Sequence, residues 1–326
     1  MANKPTKSKP AEPRPLTLVS VRPNERNLSE GNVLEHPLFK LSNKEARPNR
    51  GRDEDGKILY ANEDYTRVYE LTMDWKKDGS HTRRVLEVRA SAHYGYPTMF
   101  AFRVLLAIID KAHKLNWENV QVPVSRPEIC AALGCDDYGG TQFALIDNAL
   151  EAMRAMSLSF HETWYDFAGK KHHPGIRTTS LISNFSFAPK EPGKGARNQL
   201  TFGGFQFVEL GADLFGSLKS GYRIGVDLDY INRLGDNVTA QRLYSYLTKK
   251  DRGAEYTEGV KSLALKLPLV KTTPSGIREA LVPALELLSA PQGPDSKQFL
   301  KSFDFTGARA NQQLTVQFFG HEPSGT

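Results

Sequence analysis

A cluster of cationic and hydroxyl side chains lies between residues 266 and 278, and its chemistry suits a polyanionic partner. Its members are Lys266, Lys271, Thr272, Thr273, Ser275 and Arg278. Lysine and hydroxyl groups bind phosphate oxygens, whereas an arginine guanidinium also donates paired hydrogen bonds to the edge of a guanine base. We therefore expect Arg278 to read bases in DNA. Lys271, Thr273 and Ser275 are expected to contact phosphates, with a helix cap as the alternative role of Thr273, and Lys266 and Thr272 are further candidate DNA contacts. The competing interpretation of Arg278 is a solvated charge.

A predicted helix positions this cluster. Thr273 followed by Pro274 is typical of a helix start, where the threonine hydroxyl caps the first turn and proline takes the first helical position. The apolar residues that follow recur at helical spacing. They are Ile277, Leu281, Leu285 and Leu288. Arg278 therefore lies one turn into the helix, where recognition helices place side chains that reach base edges.

A similar series of elements is predicted earlier in the chain. The apolar run at residues 97–112 predicts a central helix, and Thr98 is its candidate N-cap. Ser125 and Glu128 fit a capping box that starts a second, short helix. Gly134 ends this helix, because glycine readily adopts the left-handed conformation of a helix C-terminus.

A third helix follows, and its apolar face carries Phe143, Ile146, Leu150 and Met153. Gln142 and Asn148 lie off this face, so both are candidate DNA contacts. Apolar and polar residues then alternate with the two-residue period of a strand, which predicts a hairpin. Its loop, residues 166–175, carries Lys170 and Lys171 as candidate phosphate contacts.

These elements recur in the second half of the chain. Helices are predicted at residues 237–247, 261–267 and 273–288, and a hairpin follows whose turn carries the candidate DNA contacts Arg309 and Asn311. Helix, short helix, helix and hairpin is the order of a winged helix, in which the third helix can enter the major groove. We therefore predict an α+β protein with two tandem winged-helix domains and β-hairpin wings.

The remaining segments set the predicted domain boundaries. Residues 1–56 combine many charged residues and prolines with no sustained apolar period, which predicts a disordered basic tail. Residues 57–220 are the first winged-helix domain, which begins with a β-hairpin, and residues 221–320 are the second. A strand is expected near residues 222–228. Residues 321–326 are a short C-terminal tail.

Composition narrows the class of protein. The formal charge of +6 favours a polyanionic partner, although many soluble proteins are equally basic. Cys130 and Cys135 are too few for a zinc site or a disulfide framework, so we expect reduced thiols. We expect a cytoplasmic protein without a membrane segment, because no secretory signal and no long apolar stretch are present.

Three patterns suggest other chemistry, and each is incomplete. His172 and His173 are adjacent, but no cysteine or carboxylate cluster completes a metal site around them. Tyr244 and Tyr246 suggest the nucleophile of a nicking enzyme, yet the histidine strand that holds the metal in such enzymes is missing. The glycine pair at residues 139–140 lacks the Gly-Lys-Ser/Thr of a nucleotide-binding loop. We expect no cofactor, no metal and no enzymatic activity, and a nickase remains the enzyme hypothesis.

The chain resembles the plasmid replication initiators of the RepA type, which carry two tandem winged-helix domains. The likeness spans about residues 94–319 and lies in three pieces of sequence. They are residues 96–98 with 104–109, residues 227–230 with 242–247, and residues 281–288. The Arg-Leu-Tyr helix at residues 242–247, after a predicted Asp-Leu-Asp strand, is the most specific of the three.

The resemblance implies sequence-specific binding to repeated double-stranded DNA sites at a plasmid origin. It also implies local opening of the origin and recruitment of host replication proteins, with a homodimer that represses its own promoter and a monomer that initiates. A winged-helix transcriptional regulator without initiation activity is the alternative, because one fold serves many functions. The origin sequence, the oligomeric state and the role of the N-terminal tail stay open.

One feature departs from a DNA-reading helix in the first domain. Its third helix carries Asp147 and Glu151 with a single arginine, Arg154. Because carboxylates repel phosphates, this helix is expected to serve packing or dimer contacts more than base reading.

Overall fold

The structure is a computed structural model that describes residues 19–20, 28–41, 50–52, 58–60, 66–75, 81–91, 93–135, 139–187, 206–251, 253–308 and 311–319. Within these ranges the helices are α1 Gly31–Glu35, α2 Met99–Lys114, α3 Arg126–Ala132, α4 Gly140–Arg154, α5 Ala212–Lys219, α6 Leu228–Arg233, α7 Val238–Lys250, α8 Val260–Lys266 and α9 Pro274–Ser289. The strands of the N-terminal half are β1 Val19–Ser20, β2 Leu28–Glu30, β3 Arg50–Arg52, β4 Ile58–Tyr60, β5 Thr66–Trp75, β6 His81–Arg89, β7 Gln121–Pro123, β8 Ser157–His161 and β9 Tyr165–Asp166. Those that follow are β10 Lys171–His172, β11 Ile176–Thr179, β12 Ile182–Ser186, β13 Phe207–Leu210, β14 Arg223–Gly225, β15 Glu255–Gly259, β16 Lys297–Gln298, β17 Leu300–Thr306 and β18 Gln313–Phe318. No helix in these ranges has both the length and the apolar character that a bilayer crossing needs.

The first unit consists of α2, β7, α3, α4, β12 and β13. Its three helices match the prediction, and the capping box of α3 forms as expected between Ser125 and Glu128. The four apolar residues predicted to face inward on α4 are all buried. The three strands form one antiparallel sheet in the order β12-β13-β7. Thr98 occupies the N-cap position of α2, but its side chain makes no capping hydrogen bond.

The hairpin predicted as the first wing belongs to a different sheet. Strands β8 and β11 flank residues 166–175, and β8 also pairs with β6 in a four-stranded sheet of order β11-β8-β6-β5. The pair that instead completes the sheet with β7 is β12–β13, which comes later in the chain. The β8–β11 hairpin, which we call the inserted hairpin, therefore lies between α4 and the β12–β13 hairpin along the chain. The wing position of the first unit belongs to β12 and β13.

The second unit repeats the order of the first. It runs α7, β15, α8, α9, β17 and β18, with the sheet order β15-β18-β17. In both units the strand before the short helix pairs with the last strand of the hairpin. The helices and the hairpin predicted here are confirmed, and α9 continues through Pro283.

The strand expected near residues 222–228 is shorter than predicted. It ends at Gly225, and α6 begins at Leu228. Asp227 is the N-cap of this helix, and its carboxylate accepts a hydrogen bond of 2.9 Å from the Tyr230 amide. Asp227 has the extended backbone angles of an N-cap residue, whereas Leu228 and Asp229 are helical.

The prediction of disorder is wrong for residues 28–41, which we call the N-terminal segment. Strand β2 pairs with β14, and α1 follows with Val33 and Leu34 fully buried. The buried guanidinium of Arg242 in α7 donates hydrogen bonds of 2.9 Å to the carbonyls of Leu34 and His36. It donates a third, of 3.0 Å, to the carbonyl at the end of α8. The N-terminal segment is therefore part of the core, while most of residues 1–27 and all of residues 321–326 lie outside the described ranges.

Buried apolar side chains of both units belong to one continuous core. Leu105 of α2, Leu150 of α4, Leu243 of α7 and Leu285 of α9 are all fully buried in it. Helix α5, strand β14 and helix α6 connect the two units along the chain. The division at residues 220 and 221 remains a prediction.

Candidate nucleic-acid interface

Five of the six residues of the predicted cluster lie at the start of α9 and face solvent. We call residues 271–278 the α9 start segment. The Thr273 hydroxyl oxygen accepts a hydrogen bond of 3.3 Å from the Gly276 amide, as expected of an N-cap. Gly276 and Ile277 are buried, which fixes the helix against the core. The polar members of the segment all lie on its outer face and are exposed. They are Lys271, Thr272, Thr273, Ser275 and Arg278.

Gly276 allows the α9 start segment to turn tightly. A Cβ atom at this position would lie 2.9 Å from the Thr273 hydroxyl oxygen and 3.4 Å from Cδ of Lys271. The cap and the Lys271 side chain thus approach the backbone where a larger residue would displace them. The aliphatic part of the Lys271 side chain therefore lies beside the first turn of α9.

Arg278 rests against the hairpin of its own unit. Its guanidinium carbon lies 5.1 Å from the ring centroid of Phe305, which is on β17. A cation over an aromatic face is stabilised by about 0.5–1 kcal/mol at an exposed site. The ring covers one face of the guanidinium and leaves the planar edge, which carries the hydrogen-bond donors, open to a base or a phosphate.

The turn between β17 and β18 requires a glycine. Gly307 has a φ of +75°. A Cβ atom there would lie 2.5 Å from the Asn311 carbonyl oxygen. Asn311, a predicted DNA contact, is exposed at this turn. Arg309, another predicted contact in the same turn, lies outside the described residues.

Lys266 points away from solvent and has another partner. Its ammonium forms an ion pair with Glu35 of the N-terminal segment, and its side chain is only 13% exposed. Lys249 and Lys250 reach the same carboxylate at 3.0 and 3.1 Å. Burial opposes ionisation of Glu35, but the three ammonium groups outweigh it and hold the pKa well below its usual range. The Lys266 ammonium is therefore engaged within the protein and does not belong to the exposed cluster.

The first unit uses its charges differently. The carboxylate of Asp147 on α4 accepts two hydrogen bonds from Arg126, at 2.8 and 2.9 Å. Glu151 likewise accepts two from Arg154, at 2.9 and 2.7 Å. Both carboxylates that were expected to repel phosphates are therefore neutralised within the protein. The sequence could not reveal the Asp147 pair, because Arg126 lies on a different helix.

The predicted contacts of α4 differ in exposure. Asn148 is exposed and Gln142 is half-buried. Asn148 also lines a cleft of about 620 Å³, whose walls include Tyr94, Phe100 and the exposed Leu145. One side of α4 therefore borders a partly apolar cleft, in contrast to the polar start of α9.

The inserted hairpin exposes the two predicted lysines. Lys170 has a φ of +52° in the tight turn, and Lys171 begins β10, where it pairs with Asp166 across a two-residue ladder. Both side chains face solvent. In the described ranges, no group of three histidine, cysteine or carboxylate side chains is placed to share a metal ion.

The two tyrosines of the nicking hypothesis are buried in α7. The hydroxyl oxygen of Tyr244 accepts a hydrogen bond of 3.0 Å from the Asp227 amide. That of Tyr246 donates one of 2.6 Å to the Glu258 carboxylate. Burial raises the pKa of both phenols above the ordinary range. Neither hydroxyl is placed to meet a DNA phosphate, and both instead bond to residues of the protein.

Comparison with known proteins yields distant structural matches, among them two crystal structures. No protein-family model matches the chain, and no curated protein does. A crystal structure of RctB domains 2-3 is 14% identical, with 78% of this chain and 92% of that chain covered and a TM-score of 0.44. A crystal structure of selenomethionine derivatives of domains 2 and 3 of RctB is 16% identical. The match covers 83% of this chain and 93% of that chain, with a TM-score of 0.46. These values describe a distant likeness of fold, and the resemblance to RepA-type initiators stays a prediction.

Proposed function

We propose that this chain is a DNA-binding replication initiator whose two units are winged helices. The observation that carries the proposal is the α9 start segment, where a rigid helix presents two cations and three hydroxyls to solvent beside a hairpin. A winged helix places these two elements against duplex DNA, with the third helix in the major groove.

Each part of the interface has a distinct role in this proposal. Arg278 reads a base edge, because its guanidinium is held over Phe305 with its donors facing outward. Lys271, Thr272 and Ser275 bind phosphates, and so set the register of the helix on the duplex. Thr273 caps the helix, so its contribution is chiefly to the geometry of the segment.

The first unit contributes affinity more than sequence reading. Its α4 carboxylates are neutralised by Arg126 and Arg154, so the helix no longer repels a phosphate backbone. Lys170 and Lys171 of the inserted hairpin supply sequence-independent contacts. With the two units in one core, binding of α9 to its site would bring the first unit alongside the same duplex.

As an initiator, the protein would bind repeated sites at a plasmid origin, promote local opening and recruit host replication proteins. A homodimer that represses the promoter belongs to the same proposal. These steps follow from the resemblance to RepA-type initiators, and the interface supports only their first requirement, which is binding to duplex DNA.

A salt titration tests the binding step. Fluorescence anisotropy would compare a duplex from the DNA that flanks the gene with a scrambled duplex of equal length and composition. We expect tighter binding to the flanking duplex at every salt concentration, and an affinity that falls with salt as phosphate contacts release counterions. Equal affinity for the two duplexes at all salt concentrations would refute specific binding.

A transformation assay tests initiation. A plasmid that carries the flanking region and no other origin is expected to replicate in cells that supply the protein, and to fail with an Arg278→Ala variant. Promoter repression without plasmid replication would identify a transcriptional regulator with the same interface.

A further inference from the structure

The end of α3 brings the two cysteines of the chain together. Gly134 has a φ of +69°, which ends the helix in a left-handed turn. The Cys135 amide donates a hydrogen bond of 3.0 Å to the Cys130 carbonyl, and the Gly134 amide donates one of 3.1 Å to Ala131. These two bonds define a Schellman motif, in which the residue after the glycine packs on the helix residue five positions earlier. Here both of those residues are cysteines.

The motif therefore places two thiols side by side. The nearby Cys135 side chain adds to the burial that raises the pKa of the Cys130 thiol. A disulfide needs Cα atoms roughly 4.4–6.8 Å apart, a separation that a single backbone turn closed by a direct amide-to-carbonyl bond provides. The backbone bond between the two residues therefore holds their Cα atoms within the range that a disulfide spans.

The two thiols differ in their access to solvent. Cys130 is fully buried, and burial raises the pKa of its thiol to about 11. Cys135 is half-buried, so it is the sulfur that a small solute reaches first. The guanidinium of Arg103 interacts electrostatically with Cys135, and in the described ranges its buried Nε has no hydrogen-bond partner.

We propose that Cys130 and Cys135 form a peroxide-sensitive dithiol that closes to an intramolecular disulfide. In the first step hydrogen peroxide transfers one oxygen to Cys135, giving a sulfenic acid and a molecule of water. In the second step the Cys130 sulfur attacks the Cys135 sulfur. The S–O bond breaks, and the departing hydroxide takes the Cys130 proton as a second water. The two sulfurs together lose two electrons, and one peroxide is consumed.

The position of this pair gives the disulfide a structural consequence. It lies at the turn that joins α3 to α4 in the first unit, so closure would fix a turn that hydrogen bonds alone now hold. The inference rests on the geometry of this turn and does not depend on the proposed DNA binding.

Thiol counting tests the proposal directly, because the full sequence contains two cysteines. The full-length protein is treated with hydrogen peroxide, denatured and alkylated with iodoacetamide. We expect both thiols to be lost together, an intact mass lower by two hydrogen atoms, and full recovery of both thiols after reduction. Addition of two or three oxygen atoms to Cys135 while Cys130 remains alkylatable would overturn the proposal, as would a covalent dimer.

Two single variants assign the order of the steps. In Cys130→Ser the sulfenic acid has no partner, so we expect dimedone to label Cys135 after peroxide treatment. In the wild-type protein disulfide closure should suppress this label. In Cys135→Ser we expect at least a tenfold slower reaction, because Cys130 is buried and protonated. Equal rates of thiol loss in the two variants would contradict the proposed order.

Discussion

Helices α4 and α9 occupy equivalent positions in the two units, yet they use their charged side chains in opposite ways. On α4 the carboxylates of Asp147 and Glu151 are each bonded to an arginine. On α9, Arg278 stacks on an aromatic ring of its own hairpin and makes no ion pair within the described ranges. A bidentate pair with a carboxylate occupies two of the five guanidinium donors and cancels the charge, whereas a guanidinium on a ring keeps all of its donors and its charge. The same fold thus produces one structural helix and one candidate reading helix.

The largest expected effect concerns the N-terminal segment, which packs on α2 of the first unit and α7 of the second. Glu30 is fully buried, and burial raises its pKa from 4.5 to about 7, although Ser217, Val33 and Asn32 donate to it. Because the folded state binds this proton more tightly, the resulting stability is complete below about pH 4.5 and is lost as pH rises through 7. The difference in pKa corresponds to about 3 kcal/mol.

Glu30→Gln tests this effect, because glutamine stays neutral. We expect the free energy of unfolding of the wild-type protein to fall relative to that of the variant across this pH window, as measured by urea denaturation. A constant difference between the two proteins would contradict the raised pKa. Glu35→Gln is the matched control, since the pKa of Glu35 is lowered and its stabilisation is instead lost as pH falls.

The second prediction compares an arginine from each helix. Arg278→Ala should weaken binding to the specific duplex by about 1–3 kcal/mol, because it removes a base contact. Arg154→Ala should change the affinity by less than about threefold, because its guanidinium is bonded to Glu151. Anisotropy at fixed salt measures both, and thermal melting confirms that each variant is folded. An equal loss of DNA affinity in the two variants would contradict the different roles of α4 and α9.

The third prediction restores a negative charge on α4. Arg126→Ala leaves Asp147 unpaired near the proposed DNA surface, so both stability and DNA affinity should decrease. Because the Arg126 and Asp147 side chains are both partly exposed, we expect the free energy of unfolding to fall by about 1 kcal/mol or less. The double variant Arg126→Ala/Asp147→Asn should recover most of the DNA affinity. If Asp147→Asn restored nothing, neutralisation of α4 would have no role in binding.

The smallest expected effect counts phosphate contacts by salt dependence. Lys271→Ala should reduce the slope of log affinity against log salt by about 0.9, which is the value of one phosphate contact. Lys171→Ala should reduce the slope by a similar amount, because a phosphate contact releases counterions wherever it lies on the protein. A slope unchanged by Lys271→Ala would exclude Lys271 as a phosphate contact.

The sequence predicted elements whose stability is local. The helix α9 followed from the cap at Thr273 and four apolar residues at helical spacing, and all four are buried. The capping box of α3 followed from Ser125 and Glu128. The exposure of Arg278 also followed, because it lies off the apolar face. Each of these inferences depends on residues within one or two helical turns.

The sequence failed where partners are distant along the chain. In the sequence Glu30 and Glu35 resemble solvent-exposed charges. In the structure Glu30 accepts a hydrogen bond from Ser217, and Glu35 pairs with three lysines of the other half of the chain, Lys249, Lys250 and Lys266. Strand β7 pairs with β13 rather than with the hairpin that comes first, and alternation alone cannot choose between two hairpins. The ring under Arg278 was missed for the same reason, because Phe305 lies on another element.

The contact between Arg242 and the N-terminal segment should tolerate mutation on the segment's side but not at Arg242. All three of its hydrogen bonds end on main-chain oxygens, at positions 34, 36 and 266. Every amino acid supplies such an oxygen, so sequence drift at those positions leaves the acceptors in place. Replacement of the single arginine removes all three bonds at once. Inherited variation should therefore accumulate at positions 34, 36 and 266, whereas position 242 should remain arginine.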